Sequence, residues 1–187
     1  MIEAELKARL RDPEQVLAVL ASMAEGRSET YQDTYYDRTD GSLMDSDHEV
    51  RVRTVTGSAG TRSLLTYKTP RVDEESGSKP EHETRIETPE AVDALLRGLG
   101  LVPRIAFRKL CQNFDLTIGV RKLTATVVTV PELDGTTFIE LETLAESEDG
   151  LPDALTCVRR VLESLKVSPD DFTNEQYTDA VAAARTS

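Results

Sequence analysis

The chain of 187 residues has little cysteine, little histidine and no apolar run of membrane length. Each scarcity excludes something. Its two cysteines, Cys111 and Cys157, lie far apart and form no C-x-x-C pair, which argues against a zinc site and a disulfide framework. Both read as structural thiols. The two histidines, His48 and His82, border loops and read as exposed side chains rather than as bases. Without a stretch of about 20 apolar residues no membrane-spanning helix is expected. The first strand pattern starts at Ile2 and leaves no room for a signal peptide, so the reading places the protein in the cytoplasm. Positive charge is also in deficit: 22 Lys and Arg against 34 Asp and Glu give a formal net charge of -12, which repels extended nucleic acid and anionic membranes. Totals do not locate the cations, and a concave basic site on an acidic protein still gathers small anions.

What is present is alternation. In "MIEAELKARL" Glu3, Glu5, Lys7 and Arg9 share one face of a strand, and Ile2, Ala4, Leu6, Ala8 and Leu10 take the other. A helix follows in "RDPEQVLAVLASMAEG", with Asp12 as N-cap, Pro13 in the first turn and Gly26 as stop. Residues 27–37 read as strand and "RTDGSLMDSD" as a turn-rich loop. In "HEVRVRTV" Glu49, Arg51 and Arg53 alternate with Val50 and Val52; a hairpin at Gly57 to Gly60 returns through "TRSLLTYKTP". The aperiodic "RVDEESGSKP" reads as a mobile surface loop, and "EHETRIE" then sets Glu83, Arg85 and Glu87 on one face. A second helix, capped by Thr88 with Pro89 behind it, precedes three strand-like stretches, "LVPRIAFRKLCQNFDL", "KLTATVVTV" and "TTFIELETL". Two helices, about 152–166 and 173–185, are split by "SPDD".

Roughly eight strands joined mostly by short turns imply an α+β fold with a largely antiparallel sheet, and eight suffice to close a barrel. The length suits one domain over residues 1–187. An ordinary small barrel is filled with apolar side chains, whereas here strand after strand carries a charged face. Those faces either meet solvent, the usual fate of such charges, or line a polar tunnel while helices cover an apolar outside. Five or six strands sharing the pattern favour the tunnel. Clustered carboxylates repel one another unless cations compensate, and such oxygen-rich sites suit Mg2+ or Mn2+. Rows of Arg and Lys supply donors for phosphate oxygens, so a polyphosphate is the natural ligand.

Glu3-x-Glu5-x-Lys7 resembles the N-terminal E-x-E-x-K signature of the CYTH domain, the triphosphate tunnel metalloenzymes that include class IV adenylyl cyclases, thiamine triphosphatases and inorganic triphosphatases. "DTYYD", "EVRVR", "LTYKTP", "ETRIE" and "FIELE" follow in the family's order, most like the stand-alone cyclase-like branch. The resemblance implies a closed antiparallel eight-stranded tunnel with flanking helices. A small-molecule triphosphate or other polyphosphate would be held by Lys7, Arg51, Arg53, Lys68, Arg85 and Lys109. Metal, Mg2+ or Mn2+, would be held by Glu3, Glu5, Glu140 and Glu142, with Glu83 and Glu87 near the wall. Two positions depart from the family pattern: Val128 stands where an aspartate is expected, and Cys111 where an arginine is expected. The departures leave two alternatives to a cyclase or triphosphatase: a changed substrate, such as a diphosphate or specialised metabolite, or a module that binds phosphate without turnover. Tyr35 and Tyr36 read as packing residues, Tyr177 as a lid or packing residue, and the apolar faces would support a homodimer.

Overall fold

Strand alternation decides the architecture. In the computed structural model, which describes residues 1–186, the strands are β1 (Ile2–Arg9), β2 (Gly26–Arg38), β3 (Glu49–Gly57), β4 (Gly60–Lys68), β5 (Lys79–Ile86), β6 (Leu101–Ile118), β7 (Arg121–Thr129) and β8 (Thr137–Ala145). The helices are α1 (Pro13–Met23), α2 (Ser42–Asp45), α3 (Pro89–Gly98), α4 (Leu151–Ser164) and α5 (Tyr177–Thr186). All eight strands close into an antiparallel barrel in the order β1-β5-β4-β3-β2-β6-β7-β8. β1 pairs with β8 along its whole length, from Ile2 opposite Ala145 to Arg9 opposite Phe138. Its pairing with β5 stops after two positions, Ile2 with Pro80 and Glu3 with Lys79. The seam on that side is therefore short.

Because the barrel interior is polar, the main hydrophobic core lies outside it. Ile2, Ala4, Leu6 and Ala8 of β1 turn outward and pack with Ile139 and Leu141 against Leu155, Val158 and Leu162 of α4. Burying a Val or Leu side chain contributes about 1.5–3 kcal/mol, so this layer holds the helix on the barrel. α1 adds Val16 and Leu20 to the same core, and its cap is formed as expected, Gln15 N donating to Asp12 Oδ1 at 3.0 Å. Thr88 sits at the N-cap of α3 without a side-chain cap bond.

Several segments differ from the sequence reading. The loop "RTDGSLMDSD" contains α2, whose start is held by Asp37: its carboxylate accepts from Leu43 N at 2.9 Å and Met44 N at 3.3 Å. The last helix begins at Tyr177, because residues 172–176 run extended along β1. Phe172 bridges to Ala8, and Thr173 N donates to the Lys7 carbonyl at 2.9 Å. The stretch "RVDEESGSKP" is not a free surface loop: Ser76 and Ser78 are buried, and it lies over the tunnel mouth. No helix among the described residues is long and apolar enough to cross a membrane.

Candidate active site

Strand parity brings the charged rows inward, and barrel closure brings them face to face. Register sets Glu5 of β1 opposite Glu142 of β8, and Lys7 opposite Glu140. Oxygens of Glu3, Glu5 and Glu142 lie within 4.8 Å of one another. Burial and the neighbouring charges of Glu140 and Glu3 push the Glu5 carboxyl up to about 7, and burial beside Glu3 and Glu5 raises Glu142 well above its usual range. Glu3 goes the other way. Burial opposes its charge, but Lys68 holds it down at about 2. Lys68 Nζ bonds Glu3 and reaches Glu81 at 2.9 Å. Three converging carboxylates, two of them driven toward protonation by burial and by mutual repulsion, form an oxygen donor set that fits a hard divalent cation. The residues present therefore suit a hard divalent cation such as Mg2+ or Mn2+, which Glu3, Glu5 and Glu142 could hold.

Cations line the adjoining cavity, which has about 110 Å3 accessible to water. Lys109, buried on β6, is 3.6 Å from Glu140, so Glu140 balances lysines rather than joining the carboxylate trio. The Lys7 and Lys109 ammonium groups stand 4.5 and 4.0 Å from the ring centre of Tyr177 at the start of α5. Such contacts contribute roughly 0.5–2 kcal/mol and keep both lysines aimed inward. The Tyr177 hydroxyl is buried and faces Glu140; burial and that carboxylate raise its pKa well above the ordinary value. Arg51 donates to Thr66 at 3.3 Å and lies 3.4 Å from Glu49, while its Nε stays unpartnered among the described residues. Arg53 is committed internally: Nε and Nη2 each donate at 2.7 Å to Asp33, which has no solvent exposure.

Of the residues singled out in the sequence, Glu3, Glu5, Lys7, Arg51, Arg53, Lys68, Lys109, Glu140 and Glu142 meet around this one cavity. Arg85, Glu83 and Glu87 do not line it. The cause is the short seam. Beyond Pro80 the antiparallel β5 passes the start of β1, so only its first residues stay at the site, and Arg85, opposite Leu64, is exposed. Glu83 accepts from Thr66 Oγ1 at 2.9 Å and so supports the wall one residue removed from Arg51. Glu81, two positions before Glu83 on the same face, takes the place beside Lys68. Sequence reasoning also missed Asp33, Arg71 and Lys79. Asp33 and Glu81 carried a signal, since each shares strand parity with residues that were named.

Cys111 and Val128 face one another across β6 and β7. They are 3% and 0% exposed and pack with Tyr35, Phe107 and Phe138. Burial pushes the Cys111 thiol up to about 12, so it stays neutral. The two departures noted in the sequence thus meet in one apolar cross-strand contact.

With this geometry, comparison with known proteins is direct. The CYTH domain matches residues 1–177. "Putative adenylate cyclase MJ0240" of Methanocaldococcus jannaschii is 24% identical over 185 residues, covering 96% of this chain and 98% of that protein. Among solved structures, PH1819 of Pyrococcus horikoshii superposes with a TM-score of 0.81 at 24% identity, covering 97% of this chain and 98% of that one. "Putative adenylyl cyclase HpAC1" of Hippeastrum, described as revealing a dominant triphosphatase activity, gives a TM-score of 0.65 at 16% identity, with 98% of this chain and 96% of that one covered. A match that runs from the carboxylate-bearing first strand to the tyrosine over the tunnel assigns the fold and the lineage together: the chain belongs to the CYTH domain family.

Proposed function

We propose that this protein is a metal-dependent enzyme that acts on the triphosphate group of a small molecule inside the barrel. The observation that carries the reading is one cavity holding a carboxylate trio beside inward-facing cations. Glu3, Glu5 and Glu142 would hold Mg2+ or Mn2+, which when bound supplies charge neutralisation and polarisation of phosphoryl oxygens, while Glu140 balances the lysines beside them. Lys7, Lys109 and Arg51 take phosphate oxygens, and Arg51 has a free Nε–H to give. Arg53 and Lys68 hold the wall's charge in place through Asp33 and Glu3. Excluding water from these donors strengthens each of them, so positioning and electrostatics supply most of the catalysis.

Two reactions use this arrangement. Attack by water on the terminal phosphorus releases orthophosphate and leaves a diphosphate; attack by a ribose 3'-hydroxyl on the α-phosphorus gives cyclic AMP and expels pyrophosphate. The M. jannaschii relative is named for cyclisation and the Hippeastrum protein for both activities. A changed substrate is the second reading, and the Cys111–Val128 contact favours it because it removes charge from one wall. The test is phosphorus NMR of the purified protein with ATP, thiamine triphosphate or inorganic triphosphate and Mg2+ or Mn2+, beside a Glu3→Ala, Glu5→Ala control. Orthophosphate or cyclic AMP with pyrophosphate, lost in the control, is expected. Folded protein that turns over none of the three would overturn the triphosphate reading and leave the changed substrate.

A further inference from the structure

The connection from β4 to β5, residues 69–78, folds over the cavity mouth and is fixed there from outside the barrel. Arg159 of α4 reaches the Glu75 carboxylate at 2.6 Å, and Asn174 donates to the Glu75 carbonyl at 3.0 Å. Two cations, Arg71 within this stretch and Lys79 just after it at the start of β5, line the cavity. Both are held by one carboxylate that does not line it. Asp47, between α2 and β3, accepts from Arg71 backbone N at 2.9 Å, Nε at 2.8 Å and Nη2 at 2.7 Å. Lys79 Nζ lies 2.8 Å from the same carboxylate and donates to the Asp47 carbonyl at 2.8 Å.

Asp47 adopts this position at a cost. Its φ of 62° lies in the left-handed region that side chains rarely enter. The bonds from Arg71 and Lys79 offset that strain. Chemically, a carboxylate that takes an arginine fork and an ammonium presents the same acceptor geometry as two phosphate oxygens. One anion on two cations also leaves the group net positive, facing a cavity already lined with phosphate donors.

We propose that Arg71 and Lys79 bind the outer end of the polyphosphate, and that Asp47 is an internal stand-in anion that keeps their charged ends at the mouth until phosphate takes them over. The inference rests on the polyphosphate reading and adds ligand contacts from the β4–β5 connection and from the first residue of β5.

The experiment is calorimetric titration of tripolyphosphate, with and without Mg2+, into the wild-type protein and the variants Arg71→Gln, Lys79→Gln and Asp47→Asn. Charge-assisted contacts of this type predict weakening of about tenfold or more for each cation variant. Asp47→Asn should tighten binding, and that gain should vanish when Arg71→Gln and Lys79→Gln are added. Glu74→Gln, 4.0 Å from Arg71 but 90% exposed, should change little and controls for charge alone. Should a variant misfold, the Arg71 Nε–H resonance of the wild-type protein gives the answer directly, since it must shift in proportion to tripolyphosphate occupancy. Wild-type protein that binds tripolyphosphate, with variants that bind equally well or an unmoved Arg71 resonance, overturns this inference alone. Wild-type protein that does not bind tripolyphosphate overturns the functional reading, and this inference with it.

Discussion

Asp33 carries its charge where no solvent reaches, and the arginine fork on its two oxygens is what permits it. Burial works against that charge, yet Arg53 holds the carboxyl at about 2, below the ordinary 3.8. The stability from the pair is therefore complete above about pH 3.8 and is lost as pH falls toward 2. Asp33→Asn leaves a buried guanidinium without its counter-charge and should cost about 3–5 kcal/mol in urea denaturation at pH 7. A loss under 1 kcal/mol would mean that water or Tyr31, whose ring is 4.5 Å from Arg53, already satisfies the cation. Asp33 was hard to find in the sequence for a physical reason. "DTYYD" shows which side chains share a face, but not that its first aspartate would meet Arg53 directly across β2 and β3. Parity names the row; pairing register decides which member meets which.

At the scale of elements the same distinction recurs. The opening strand, both terminal helices and the inward orientation of Glu3, Glu5 and Lys7 were readable because period-2 and period-3.6 patterns are local. The register of β5 against β1 was not, since it depends on how the β4–β5 connection brings Lys79 opposite Glu3. Hence "EHETRIE" supplies Glu81 to the cavity side, while Arg85 stays in solvent. The Cys111–Val128 contact, two isolated oddities in the sequence, becomes one feature once β6 and β7 pair. A double-mutant cycle follows from that pairing. Cys111→Arg or Val128→Asp alone buries an unpaired charge and should cost about 3 kcal/mol or more. The double variant should recover roughly 1–3 kcal/mol of the summed loss in thermal or urea unfolding. Strictly additive costs would show that the two new charges do not meet.

Taken whole, the molecule separates its charges: a formal -12 overall, and an interior where lysine and arginine gather beside three repelling carboxylates. Without metal, a carboxyl raised to about 7 stabilises the folded state below the ordinary 4.5, and that contribution is lost as pH rises from 4.5 through about 7. Divalent metal reverses the balance because it needs the carboxylates ionised. Adding Mg2+ or Mn2+ should thus raise the melting temperature more at pH 8 than at pH 5.5, and chelation should abolish the difference. An equal rise at both values would place the bound ion elsewhere than Glu3, Glu5 and Glu142.

The pairing of β1 also sets an order of events. Apart from its two-position contact with β5, the first strand finds its partner only in residues 138–145. Contacts so distant along the chain are slow to form. As the chain leaves the ribosome, the strand bearing Glu3, Glu5 and Lys7 emerges before the other seven strands and is secured almost last, and Glu142 emerges later than nearly all of the barrel. The nascent protein therefore passes through most of its synthesis with its edge unpaired and its metal-holding trio incomplete, and gains both closure and site in the same late step.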